Sequence, residues 1–142
     1  MSASIYQLLY ISTDTALFDD AILEDILKTS RANNESKDIT GMLLYHDGSI
    51  LQLLEGEEEK VLALYQMIEK DPRHHSVAQI LERRSTERRF ATWSMGFRKI
   101  SDKEWSQVEG YMNESSVKQL SLAKNSDAIL SFVNSFYQVN FR

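Results

Sequence analysis

Cysteine is absent from this chain, which excludes disulfides, thiolate metal sites and thioether-linked chromophores. Proline occurs once, at Pro72. No window approaches 18 consecutive apolar residues, and residues 1–4 have neither the basic nor the apolar region of a signal peptide, so neither a membrane span nor a leader is expected and the cytoplasm is the expected compartment. Positive charge is also scarce. A net charge of −5 argues against a broad nucleic-acid footprint, because phosphate binding needs clustered Lys and Arg. The one basic cluster, Arg83-Arg84 with Arg88-Arg89, is broken by Glu82 and Glu87 and reads as a solvated turn.

What remains is an ordinary globular composition, 42% hydrophobic and 26% charged over 142 residues. A chain of this length is one domain by the usual measure. Folding buries about 68–70% of the surface of such a domain, enough for a core that holds a cofactor.

Residues 5–12 are rich in aliphatic and aromatic side chains and predict a first strand, with Tyr6, Leu8, Tyr10 and Ser12 on one face. Residues 19 to about 32 carry Phe18, Ile22, Leu23, Ile26 and Leu27 at helical spacing, with Thr13, Asp14 or Thr15 available to start the helix. Two apolar runs, 40–45 and 49–55, flank His46-Asp47-Gly48, and Asp-Gly between such runs is a strong hairpin signal. A second helix is predicted over 57–70 with an acidic start, closed by Pro72, followed by strands over 77–81 and 93–100. The order βαββαβ plus one strand implies an α+β, ferredoxin-like, five-stranded mixed sheet with two helices on one face. Residues 101–142 carry two apolar stripes, around Trp105 and around Phe132, and are expected to form a helical extension packed on the other face.

The chemistry concentrates in a few positions. Gln52 stands in the middle of the apolar run Ile50-Leu51-Gln52-Leu53-Leu54, and an interior amide must find partners for its oxygen and its NH₂ group. Ile50, Gln52 and Leu54 share a face. Tyr10 reads either as a core aromatic or as a phenol with a task. Asn33 and Asn34 fit a helix exit or a ligand contact equally. Arg73-His74-His75 follows Pro72, but adjacent histidines with no third ligand nearby do not make a metal site.

In their order and spacing, Leu8-Leu9-Tyr10-Ile11-Ser12, Asn33-Asn34, Ile39-Thr40-Gly41, Gln52, Asp71-Pro72-Arg73-His74 and Trp93-Ser94-Met95 resemble the BLUF family, blue-light receptors that hold a flavin without a covalent bond. The likeness runs from about Ile5 to Lys99. It implies a photosensor domain over residues 1–100, a helical extension over 101–142, FAD as cofactor (with FMN or riboflavin able to replace it in a recombinant preparation) and no enzymatic output. It also implies a photochemical relay of Tyr10, Gln52, Trp93 and Met95, with either Trp93 or Met95 nearer the flavin. By the same resemblance Asn34, and secondarily Asn33, hold the polar edge of the ring, and Ile26 and Ile68 sandwich it. Asp71, Arg73 and His74 lie near its side chain and phosphate. Without cysteine, any photochemistry must proceed without a thiol adduct. Ile50 departs from the family, which usually has Phe there, and so does the charged Lys37-Asp38 before Ile39. Output then requires an unidentified effector protein or a change in self-assembly, and a homo-oligomer is expected. The rival reading is a ferredoxin-like small-molecule-binding regulatory domain or an acylphosphatase-like enzyme. The latter needs a Gly-rich anion loop with an Arg after the first strand, where this chain has Ser12-Thr13-Asp14-Thr15.

Overall fold

The structure, a computed structural model, describes residues 4–15, 19–88 and 95–107. Along the chain come β1 (Ile5–Asp14), α1 (Asp20–Lys37), β2 (Thr40–His46), β3 (Ser49–Gly56), α2 (Glu58–Glu69), β4 (His74–Ser85) and β5 (Gly96–Lys99). They build one five-stranded sheet in the order β4-β1-β3-β2-β5. All neighbours are antiparallel except β2 and β5, which run parallel, so the sheet is mixed, as expected.

The β2–β3 hairpin forms where Asp-Gly predicted it. Asp47 and Gly48 both have positive φ, 42° and 94°, as a tight turn matched to strand twist requires. That turn fixes a register in which Leu43 faces Gln52 and Tyr45 faces Ile50, while β1 places Tyr10 opposite Gln52. One face of the sheet therefore presents Tyr6, Leu8 and Tyr10, Leu43 and Tyr45, Ile50 and Leu54. These pack into a single buried cluster with Leu23 and Leu27 of α1 and Val61, Leu64 and Tyr65 of α2. The alternate residues, Leu9, Met42, Leu44, Leu51 and Leu53, are buried on the other face.

Several boundaries differ from expectation, β4 beginning at His74 instead of 77 and β5 spanning Gly96–Lys99 within the expected 93–100. The helix α1 is capped by Asp19, whose side chain accepts from Ile22 N at 2.8 Å, and not by residues 13–15. Those residues are engaged elsewhere, because β1 continues to Asp14, which is buried and accepts from the Tyr45 hydroxyl at 2.5 Å. At its other end α1 runs to Lys37 and stops at Asp38, which adopts the left-handed conformation and donates its N–H to the carbonyls of Asn34 and Glu35. Asn33 and Asn34 therefore lie inside the helix, because burial of Asn34 outweighs the weak helix propensity of asparagine. Arg83 and Arg84 are strand, not turn. The edge strand β4 extends to Ser85, and an edge tolerates charge: the Arg84 guanidinium sits 5.6 Å over the Tyr6 ring and pairs with Glu58.

Of the extension, only residues 101–107 are described. Its helix begins at 102 with a capping box, Glu104 N donating to Ser101 Oγ at 3.2 Å and Ser101 N to Glu104 Oε1 at 3.0 Å. Trp105 is buried and stacks on His46, ring centroids 5.6 Å apart. The second apolar stripe, around Phe132, lies outside the described residues.

Gly41 is a point of close approach in the sheet, since a Cβ there would run into the carbonyl oxygen of Leu53 on β3. Gly41→Ala should destabilise the fold by about 1–3 kcal/mol, read as a lower urea midpoint at unchanged slope. An unchanged midpoint would mean that β2 and β3 are not this close.

Candidate functional site

Between α1, α2 and the helix-facing side of the sheet lies a cleft with about 730 Å³ of space not filled by protein, part of it open to solvent. Helix α1 contributes Leu23, Ile26, Ser30, Asn33 and Asn34, and α2 contributes Leu64 and Ile68. The strands contribute Tyr10, Leu43, Tyr45, Ile50 and Gln52, and the corner after α2 adds Asp71, Arg73 and His74. All ten residues that the sequence proposed for binding are thus brought to one cleft. Leu23, Ser30, Leu43, Tyr45 and Leu64 were not anticipated. Ser30 follows Ile26 and precedes Asn34 by one turn each, a spacing that becomes visible once the helix is extended past residue 32.

At the floor of the cleft the Tyr10 hydroxyl donates to Gln52 Oε1, and Gln52 Nε2 donates to the Met95 sulfur at 3.4 Å. All three side chains are buried. An amide NH₂ carries two hydrogens, so one N–H of Gln52 is left, among the described residues, for a molecule in the cleft. Trp93, expected beside Met95, lies outside the described residues.

Tyr65 packs against Tyr10 with ring centroids 5.4 Å apart and planes tilted by 54°. Burial pushes the Tyr10 phenol well above its ordinary pKa, and the negative charge that Tyr65 and Asp71 bring nearby adds to the rise. Tyr65 is also raised, mainly by burial and then by Glu69.

The corner after α2 is charged and ordered by its own contacts. Arg73 Nε reaches both Asp71 oxygens at 3.0 Å, and Nη2 reaches Oδ2 at 2.5 Å. This hydrogen-bonded pairing holds the Asp71 carboxyl below the usual carboxylate range. His74 Nε2 meets the carbonyl of Ile68, which only accepts, so Nε2 carries the proton; in the neutral ring Nδ1 then accepts from Ser12 Oγ at 2.9 Å. The imidazole ties the end of α2 to β1. Among the described residues no three His, Asp or Glu side chains are grouped to hold a metal, and no helix is long and apolar enough to cross a membrane.

Fold and cleft together define a ferredoxin-like α+β domain built to hold one partly polar ligand between two helices and a sheet, against a buried phenol and amide. Comparison with known proteins makes the class specific. Residues 5–96 match the family described as sensors of blue-light using FAD, and the chain belongs to that BLUF family of blue-light flavin sensors. It is 36% identical over 73 residues to the blue light- and temperature-regulated antirepressor BluF of Escherichia coli K12, covering 51% of this chain and 18% of that protein. Among solved structures it resembles BlsA in its photo-activated state, at 32% identity and TM-score 0.66, covering 72% of this chain and 74% of the other. A bacterial light-regulated adenylyl cyclase matches at 31% identity and TM-score 0.68, covering 84% of this chain and 36% of that one. The chain spans less than a fifth of the length of the antirepressor.

Because burial raises the Tyr10 pKa in the folded state, its contribution to stability is complete below the unfolded value near 10 and is lost as pH rises above it. The melting temperature of Tyr10→Phe should therefore fall less steeply above about pH 10 than that of the unsubstituted protein. Parallel alkaline limbs in thermal melts would show that Tyr10 is not desolvated.

Proposed function

We propose that this protein is a light sensor that binds FAD in the cleft and signals through the hydrogen bonds of Gln52, with no enzymatic output of its own. The observation that carries this reading is the buried chain from the Tyr10 hydroxyl through the Gln52 amide to the Met95 sulfur, beside a cleft lined by both helices and the sheet. The residues present fit a flavin. Ile26 and Ile68 stand on the two helices flanking the cleft for the faces of a flat ring, Asn33 and Asn34 suit its polar edge, and the spare N–H of Gln52 suits a ring carbonyl. Arg73, paired with Asp71 at the corner, is the side chain suited to a phosphate.

A bound flavin supplies blue-light absorption and, once excited, an acceptor for one electron. Tyr10 is the donor. It gives up an electron and, through its hydrogen bond, its phenolic proton to Gln52 Oε1; both return to Tyr10 when the charges recombine. An amide suits the middle position because it accepts at oxygen and donates at nitrogen. A rotation of Gln52 ends its N–H contact with the Met95 sulfur, and a tautomerisation removes one of its two N–H hydrogens. A thioether sulfur has no hydrogen to give, so an amide oxygen turned toward it finds no partner and the sulfur must yield. Each bond altered is worth about 0.5–1.5 kcal/mol net, enough to shift a poised element about tenfold but not to unfold the domain. The signal then passes to an effector protein in the cytoplasm or to a homo-oligomer.

The deciding experiment is the absorption spectrum of the purified protein in darkness and under blue light. A flavin spectrum that moves slightly to the red and recovers in the dark is expected. Tyr10→Phe and Gln52→Leu should each keep the yellow colour and lose the shift. An undiminished shift in Tyr10→Phe would remove Tyr10 as donor, and colourless protein from Gln52→Leu would make Gln52 chiefly a binding residue.

A further inference from the structure

Met95 stands one residue ahead of β5, before the ladder with β2 that begins at Gly96 opposite Met42. Its sulfur receives the Gln52 N–H, but that contact alone holds it weakly. A thioether is a poor acceptor, and the three rotatable bonds of methionine let the side chain settle in several places. The anchor is on the backbone. Arg31, from α1, donates its Nε–H to the carbonyl oxygen of Met95 at 2.9 Å, joining residues 64 positions apart. The bond is charge-assisted and partly buried. Arg31 does not line the cleft, whereas Ile26, Ser30 and Asn34 of the same helix do. One rigid helix therefore both forms a wall of the cleft and grips the backbone of the residue that partners Gln52.

We infer that Arg31 is a positioning residue of the photoreaction: by holding the Met95 carbonyl it fixes where the sulfur stands against Gln52, and so sets how fast the light-formed arrangement reverts. The inference rests on the relay of Tyr10, Gln52 and Met95 proposed above. When Gln52 ceases to donate to the sulfur, the Met95 side chain has to move. With its carbonyl tethered to α1, the excursion stays within the side chain and the way back is short. Without the tether the segment ahead of β5 moves as well, and the return is slower.

The test compares dark recovery after blue light in the flavin-loaded protein, in Arg31→Met, which keeps length but donates nothing, and in Arg31→Lys. Arg31→Met should keep the flavin and the red shift and recover at least about threefold more slowly, a change at the low end of couplings between contacting residues. Arg31→Lys should restore part of the rate, because an ammonium also donates to a carbonyl. In a Met95→Ala background, Arg31→Met should change the recovery rate little, since the side chain it positions is gone. Recovery of Arg31→Met at the unsubstituted rate or faster overturns the inference. So does a slowing of the same size in the Met95→Ala background, which would mean that Arg31 acts on something other than Met95. No reversible shift in the unsubstituted protein would overturn the relay itself, and the role of Arg31 with it.

Discussion

The hydrogen bond between Tyr10 and Gln52 exists only in one register of β1 against β3, and much of the sheet serves to fix that register. The two residues lie directly opposite each other on central strands. Slipping β3 by one position would turn the amide to the far face and leave the phenol buried without an acceptor. Three features prevent the slip. The Asp47-Gly48 turn, with both residues at positive φ, sets β2 against β3. Gly41 admits a close approach of β3 that no side chain would allow. On the other flank, β4 absorbs its mismatch with β1 in two register shifts, between Leu9 and Tyr10 and between Ile11 and Thr13, so that the β1–β3 ladder runs uninterrupted.

The same strand carries a second buried polar group on its opposite face. Glu55, three residues after Gln52, is fully buried, receives Gln7 Nε2 at 2.7 Å and Thr40 Oγ1 at 3.3 Å, and sits between them in the sheet. Arg88 closes the group from outside. It donates to Thr40 Oγ1 at 3.0 Å, to the carbonyl of Glu55 at 3.2 Å and to the carbonyl of Asp38 at 2.8 Å. Its guanidinium also pairs with the Asp38 carboxylate at 3.2 Å. The cluster fastens the chain just after β4 to the end of α1 and the start of β2, which fixes where the connection toward β5 sets out. Gln7 Oε1 is buried with no hydrogen-bond partner among the described residues.

Alternation and turn chemistry made the sheet legible before any coordinates. Period two grouped Tyr10 with Tyr6, Leu8 and Ser12, and Gln52 with Ile50 and Leu54; that the two residues are neighbours was implied by the family resemblance, and Asp-Gly announced the hairpin. What stayed hidden was decided by tertiary contacts. Nothing local says that Asn33 and Asn34 continue a helix, since their propensity argues against it; the packing of Asn34 into the cleft and the left-handed Asp38 settle the matter. Nor does a run of arginines identify itself as strand when its partners, Tyr6 and Glu58, lie on other elements. Resemblance to a family supplied roles for the residues it names, and all ten binding candidates meet in one cleft. The bond from Arg31 to Met95 had no local signature, because it joins a helix side chain to a backbone carbonyl far along the chain.

The element that follows the relay is the one held by the fewest strand contacts. The strand β5 has four residues and, among the described residues, pairs with β2 alone at the edge of the sheet. A short parallel edge ladder is among the least stable elements of any sheet. Both of its ends are tied. At its start Met95 is held by Arg31 and meets Gln52. At its exit Ile100 N donates to the Tyr45 carbonyl at 3.0 Å, Asp102 meets His46 at 2.6 Å, and Trp105 stacks on the same imidazole. A displacement that starts at Met95 is therefore confined between α1 and the helix that begins at residue 102. The element between those anchors is β5 itself, four residues of backbone.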